Sequence, residues 1–306
     1  MKPLYGMLLL AAVGLSFENL ALAQAAPTCN LSGCTISTSG SYIVSSGGVQ
    51  GLTISANNVV LDLNGYGVAQ LSNPGVVCTI VPGTRGNSCT SGISGNPAIK
   101  ITGYNVTVKN GIVYSGFGTG INVTSPSNAN SNVTLKDLTV SNFRGPGIDI
   151  STASVVSLIN VQSNQNGSYG IIGQNEVTMQ NVTANYNNNV GIQLNSGTLE
   201  NVSADYNTGS GIISAGSITR ARAGFNGFTG ITGAAVIRDA RANNNVSTGI
   251  TAGNSGVVID SIATQNGGDG FSLSTGVCYW GLSTQGNTGV AISGGTPLSG
   301  STASCQ

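Results

Sequence analysis

The chain has 306 residues, of which 46 are glycine and none histidine; only 7% are charged, and the formal net charge is zero. The balance stays at zero without the first 23 residues, because Lys2 and Glu18 leave together. It excludes the basic surface that nucleic acid or an anionic membrane would require, while 40% apolar residues supply a long core and argue against disorder.

Residues 1–23 read as a secretory signal. Lys2 gives a positive start, Met7 to Phe17 is mostly apolar, and Ala21-Leu22-Ala23 is a cleavage site of the A-x-A kind. The apolar run is shorter than the ~20 residues a membrane span needs, so the mature chain is expected in the periplasm or outside the cell, with no span. Six cysteines fit an oxidising compartment. Their clustering favours local bridges, Cys29–Cys34, Cys78–Cys89 and Cys278–Cys305. Without a CxxC pair or a histidine, no zinc site is expected.

Residues 24–50 are expected to cap the first coil. From 51 to 295 the chain reads as stacked coils. Asn58 to Gly65 and Asn105 to Gly111 alternate apolar and polar residues between turn residues. Between them, residues 72–97 carry Pro74, Pro82, Pro97 and the Cys78/Cys89 pair, and are expected to loop out. Beyond residue 120, a glycine followed by Ile, Val or Phe recurs at positions 120, 147, 170, 191, 211, 230, 249, 270 and 289. Four residues before seven of these glycines stands an amide: Asn166, Asn187, Asn207, Asn226, Asn245, Asn266 and Gln285. A repeat of this length that cannot bury its own apolar face must stack on its neighbours.

The segment from Val177 to Leu194 shows the unit. Val177 and Met179 alternate with polar residues, Gln180-Asn181 marks a corner, and Val182 and Ala184 restore the alternation. Asn187 comes next at a turn, and Gly191 opens a third strand that buries Ile192 and Leu194. The fold class is therefore all-β, a right-handed parallel β-helix with three short strands per coil and about ten coils. Amides at one position would form a ladder that satisfies turn backbone. Six Asn-Val-Thr/Ser tripeptides match the glycosylation acceptor pattern, but they fall where the coil asks for Asn at a corner and Val inside. Residues 296–306 form a tail tied back by the last bridge.

Aligned coils sort the charged residues into columns. Charge is densest around Arg220, Arg222, Arg238, Asp239, Arg241 and Asp260. Asp239 and Asp260 would stand on adjacent coils with carboxylates about 5 Å apart, a separation suited to shared acid–base work or to holding a cation. The same pattern equally describes a solvated ladder in which unlike charges alternate. Tyr186, Tyr206 and Phe225 share one position on three successive coils. They would either offer their faces to sugars or stack on one another.

The Gly-Ile and Asn-x-Val rungs resemble the β-helix repeat of pectate lyases, polygalacturonases and many secreted bacterial repeat proteins. That resemblance implies a pectin-lyase-like fold more specifically than any activity. It implies a Gly-His-Gly and an Arg-x-Lys motif for a polygalacturonase and a histidine for an alginate epimerase, and the chain has none of these. For a pectate lyase it implies clustered acids around calcium and an Arg or Lys base, to which Arg220, Asp239, Arg241 and Asp260 correspond only loosely. Two functions are compatible with these residues. The favoured one is a non-catalytic exported module, structural or in contact with extracellular polysaccharide, that needs no cofactor. Its rival is a polysaccharide lyase working at the Arg220–Asp260 corner, with calcium as the only cofactor it would call for.

Overall fold

The computed structural model describes residues 24–25, 33–45, 51–69, 78–79, 88–89, 96–115, 118–124, 131–233, 235–253 and 256–298. The signal segment, Cys29 and Cys305 lie outside them. The chain is a right-handed parallel β-helix of about eleven turns, and 26 strands join one continuous sheet in which every pairing is parallel. Each coil has three strand positions, here called faces A, B and C in chain order. In one coil these are Ile231–Gly233, Val236–Arg238 and Arg241–Asn243, which pair with Ile250–Ala252, Val257–Ile259 and Ile262–Thr264 of the next.

Alternation decides what lies inside. On face A, Ile171, Ile192, Ile212, Ile231, Ile250 and Phe271 stack through the core with no exposure. On face C the inner residues shrink to alanine at 184, 204, 223, 242 and 263. The ladder glycine and amide of the neighbouring turn require this small side chain. A Cβ on Gly230 would lie 2.6 Å from Asn245 Nδ2 and 2.8 Å from Ala242 Cβ. Glycine, alanine and amide therefore fit together as a set, which is why the three recur in step.

The earlier segments obey the same rule. Val59–Asp62 pairs with Val106–Lys109, as the rung-like sequences suggest. Cys34–Ile36 and Gly40–Ile43, within the segment expected as a cap, pair with Leu52–Ile54 and Val59–Asp62 and so extend two faces of the coil by one more turn. Leu52–Ile54 pairs directly with Ile99–Ile101. Of the intervening stretch, Cys78–Thr79 and Ser88–Cys89 form a separate antiparallel ladder in which Cys78 faces Cys89. Among the described residues no cysteine is free, and no helix is long and apolar enough to cross a membrane.

The amide ladder is continuous but ends differently from expectation. Asn166, Asn187, Asn207, Asn226, Asn245 and Asn266 are buried. Each donates its side-chain Nδ2 and its backbone N–H to the amide oxygen of the next coil. Asn266 makes these bonds to Asn287, not to Gln285. Gln285 pairs with Thr264 at the end of face C, two residues earlier in the coil. The reason is register: Ala291 takes the place of the ladder glycine in the last coil, accepting from Phe271 N–H, so Gly289 is two residues out of step. The tripeptide rule also has exceptions, since Asn122 lies within the strand Ile121–Thr124 and Val246 after Asn245 is half exposed.

Candidate functional site

Residues in the left-handed region stand at the corners of the coil. Between faces B and C the column Asn110, Asp137, Asn160, Asn181, Asn201, Arg220, Asp239, Asp260 and Gly281 has φ between 47° and 65°. Only Asn, Asp and Gly enter this region at low cost. Asp239 and Asp260 thus have a backbone reason to be acidic or amidic before any chemistry is considered. Within the column, Asn160 donates to Asp137, Asn181 to Asn160 and Asn201 to Asn181.

The structure divides the charged corner instead of gathering it. Arg220 is drawn back to Glu200 of the preceding coil in an exposed ion pair. Asp239 and Asp260 stand exposed on adjacent coils, and neither makes an ion pair among the described residues. No group of three or more His, Cys, Asp or Glu among the described residues could hold a metal ion. Arg222 and Arg241 are the pair that converges. They lie side by side in register on the outer surface of face C. With Ala242, Asn243, Ile262 and Thr264 they line an open groove of about 310 Å³.

Behind Arg222 sits an acid that belongs to none of the charged columns. Asp205 is 6% exposed. Its Oδ2 accepts from Ser203 Oγ at 2.9 Å and lies 3.5 Å from Arg222 Nε, and its Oδ1 accepts from Gly224 N–H at 2.6 Å. Burial raises the carboxyl above its ordinary range, and Arg222, Ser203 and Gly224 offset this only in part. The position was legible as a column of Asn164, Asn185 and Asp205, each accepting from the next coil, with an acid replacing an amide. Gly224 completes it, because a Cβ there would press on Asn243 Oδ1 at 2.9 Å and Asp205 Oδ1 at 3.1 Å.

Asp149, which no charged neighbour in the sequence partners at its outward strand position, accepts from Ser151 through both N–H and Oγ.

The second left-handed column contains Tyr186, Tyr206 and Phe225, with φ of 58°, 60° and 58°. Their rings stack at 4.9 Å and 3°, then 4.8 Å and 2°. Both faces of Tyr206 are therefore covered by its neighbours, and the stack turns ring edges outward. This backbone region costs bulky residues about 1–3 kcal/mol, and stacking contributes about 0.5–1.5 kcal/mol per pair in return. The arrangement fits a rigid turn better than a face-on sugar platform.

No family model and no curated protein matches the chain. Among solved structures it is similar to the A-module of the Azotobacter vinelandii mannuronan C-5 epimerase AlgE4, at 17% identity and a TM-score of 0.47, over 78% of this chain and 68% of that one. It is similar to pectate lyase Pel9A at 14% identity and 0.47, over 90% and 68%. For the periplasmic alginate epimerase AlgG the values are 12% and 0.48, over 78% and 63%. At these identities the likeness is one of fold alone.

Proposed function

We propose that the protein is an exported, non-catalytic β-helix that contacts carboxylated extracellular polysaccharide through the Arg222–Arg241 groove. The observation that carries this is Arg241. It faces an open groove beside a second guanidinium, and no carboxylate among the described residues neutralises it. Guanidinium matches a carboxylate with two parallel hydrogen bonds, and Asn243 and Thr264 add polar groups for hydroxyls along the same wall. The coil spacing of about 4.8 Å is close to the length of one sugar unit, so successive arginines can address successive residues of a polyuronate. The signal-like N-terminus and the bridges Cys29–Cys34, Cys78–Cys89 and Cys278–Cys305 belong to the same reading, which the facing of Cys78 and Cys89 supports.

One observation favours a second reading, a polysaccharide lyase. A buried acid of raised pKa beside an arginine is an arrangement found at catalytic sites, here Asp205 with Arg222. A single experiment separates the two. The purified protein is titrated calorimetrically with polyuronates and with neutral glucans, and the same mixtures are followed for ultraviolet-absorbing unsaturated product, with and without calcium. Binding to polyuronate that weakens with salt, falls at least tenfold in Arg241→Ala and gives no product is the expected result. Product formation lost in Asp205→Asn would establish the lyase, and unchanged binding in Arg241→Ala would sink the groove.

A further inference from the structure

The chain has one tryptophan, Trp280, and it is 60% exposed. It ends face B of the penultimate coil, on the outer surface, in register with Ile259 and, one coil further back, Arg238. Among the described residues no ring stacks on it; the two ring contacts lie on the other corner of the coil. The indole therefore presents an open apolar ring face to solvent.

Asp260 gives the position its chemistry. Its backbone N–H donates to Trp280 O at 3.0 Å, which sets the two residues beside each other across adjacent coils. Its carboxylate leans toward the next coil, over Gly281, where a Cβ would collide with Asp260 Oδ1. Gly281 has φ 65°, a conformation that Asn or Asp adopts at most other positions of this column. The glycine is thus the choice that leaves room for the carboxylate over the residue that follows Trp280. Asp260 forms no ion pair among the described residues, so its oxygens stay available to an outside donor.

We infer that Trp280 and Asp260 form a binding subsite for an uncharged hexopyranose unit of a polysaccharide, its C–H face against the indole and its hydroxyls donating to the carboxylate. An apolar ring face with hydroxyls at its rim matches an indole flanked by an acceptor-only group. A carboxylated sugar does not, because it would bring like charge against Asp260. The subsite lies on face B, apart from the arginine groove on face C, and stands or falls independently of it.

The single tryptophan makes the test direct. The full chain is titrated with neutral gluco-, xylo-, galacto- and manno-oligosaccharides at high salt, where attraction to the arginines is screened, and tryptophan emission is followed. A saturable change with at least one series is expected. In calorimetry, Trp280→Ala should lower affinity for that series at least tenfold, Trp280→Phe should keep part of it, and Asp260→Asn should weaken it severalfold. Trp280→Phe and Asp260→Asn carry the test if the alanine variant does not fold. The inference is overturned by no saturable change with any series, by unchanged affinity in Trp280→Ala, or by buried-type emission in the free protein. Emission that tracks protein concentration together with dimers in sedimentation would also overturn it, assigning the surface to a second copy of the chain.

Discussion

The amide ladder makes a quantitative claim about Asn207. Its Oδ1 accepts from Asn187 N–H at 2.9 Å and Asn187 Nδ2 at 3.1 Å, and its Nδ2 donates to Ala184 O at 2.9 Å and Asn226 Oδ1 at 3.1 Å. In Asn207→Ala the buried Asn187 N–H and Ala184 carbonyl lose these partners, while Asn187 Nδ2 keeps Ser163 O. Two unsatisfied buried groups at about 1–3 kcal/mol each cost about 2–6 kcal/mol. That is a large share of the roughly 5–15 kcal/mol by which a domain is stable. Urea unfolding followed by far-ultraviolet circular dichroism measures it: with a slope of about 1–3 kcal/mol per molar, the midpoint should fall by about 1 M or more. The control is Asn201→Gly on the exposed corner ladder. Asn201 loses only one solvent-side bond to Asn181 Oδ1, and its φ of 53° suits glycine, so less than about 1 kcal/mol is expected. Equal midpoint shifts in the two variants would refute the view that burial, and not amide stacking as such, gives the ladder its value.

Two further predictions concern single positions. Gly230→Ala places a methyl group 2.6 Å from Asn245 Nδ2 and 2.7 Å from Gly249 O and should cost about 1–3 kcal/mol or more, whereas Gly253→Ala meets nothing within 4 Å and should stay within about 0.5 kcal/mol in the same unfolding assay. Asp205 gives a pH signature. Its folded pKa lies above the unfolded value, so the native state holds the proton more tightly, and this contribution to stability is greatest at low pH and is lost as pH rises through the folded pKa. Unfolding midpoints measured from about pH 3 to about pH 7 should show that falling component in the parent protein and lose it in Asp205→Asn; a profile unchanged by the substitution would contradict the buried, proton-retaining carboxyl.

Much of the fold was readable from the chain because a solenoid repeats its constraints. Asn187, Ala184 and Gly191 each satisfy a local demand that returns in every coil, so spacing alone exposes them. The final coil misled for the same reason. Gly289 and Gln285 mimic the repeat in sequence, yet strand pairing to Phe271 and Thr264 places Ala291 and Asn287 in those roles. The aromatic column shows a different gap. One shared position for Tyr186, Tyr206 and Phe225 is visible in sequence, but whether faces or edges meet solvent depends on ring orientation.

Periodicity was enough to specify the parallel coil, its three faces, its buried amide column and the corner that carries the charge, since stacking at one fixed spacing turns sequence position directly into place. How neighbours in those columns use one another was settled by packing between coils. It turned Arg220 toward Glu200, buried Asp205 behind Arg222, left Arg241 facing a groove, and laid the Asp260 carboxylate over Gly281. Those outcomes depend on side-chain direction and depth between residues about twenty positions apart, and a column of letters carries no information on which way each side chain leans.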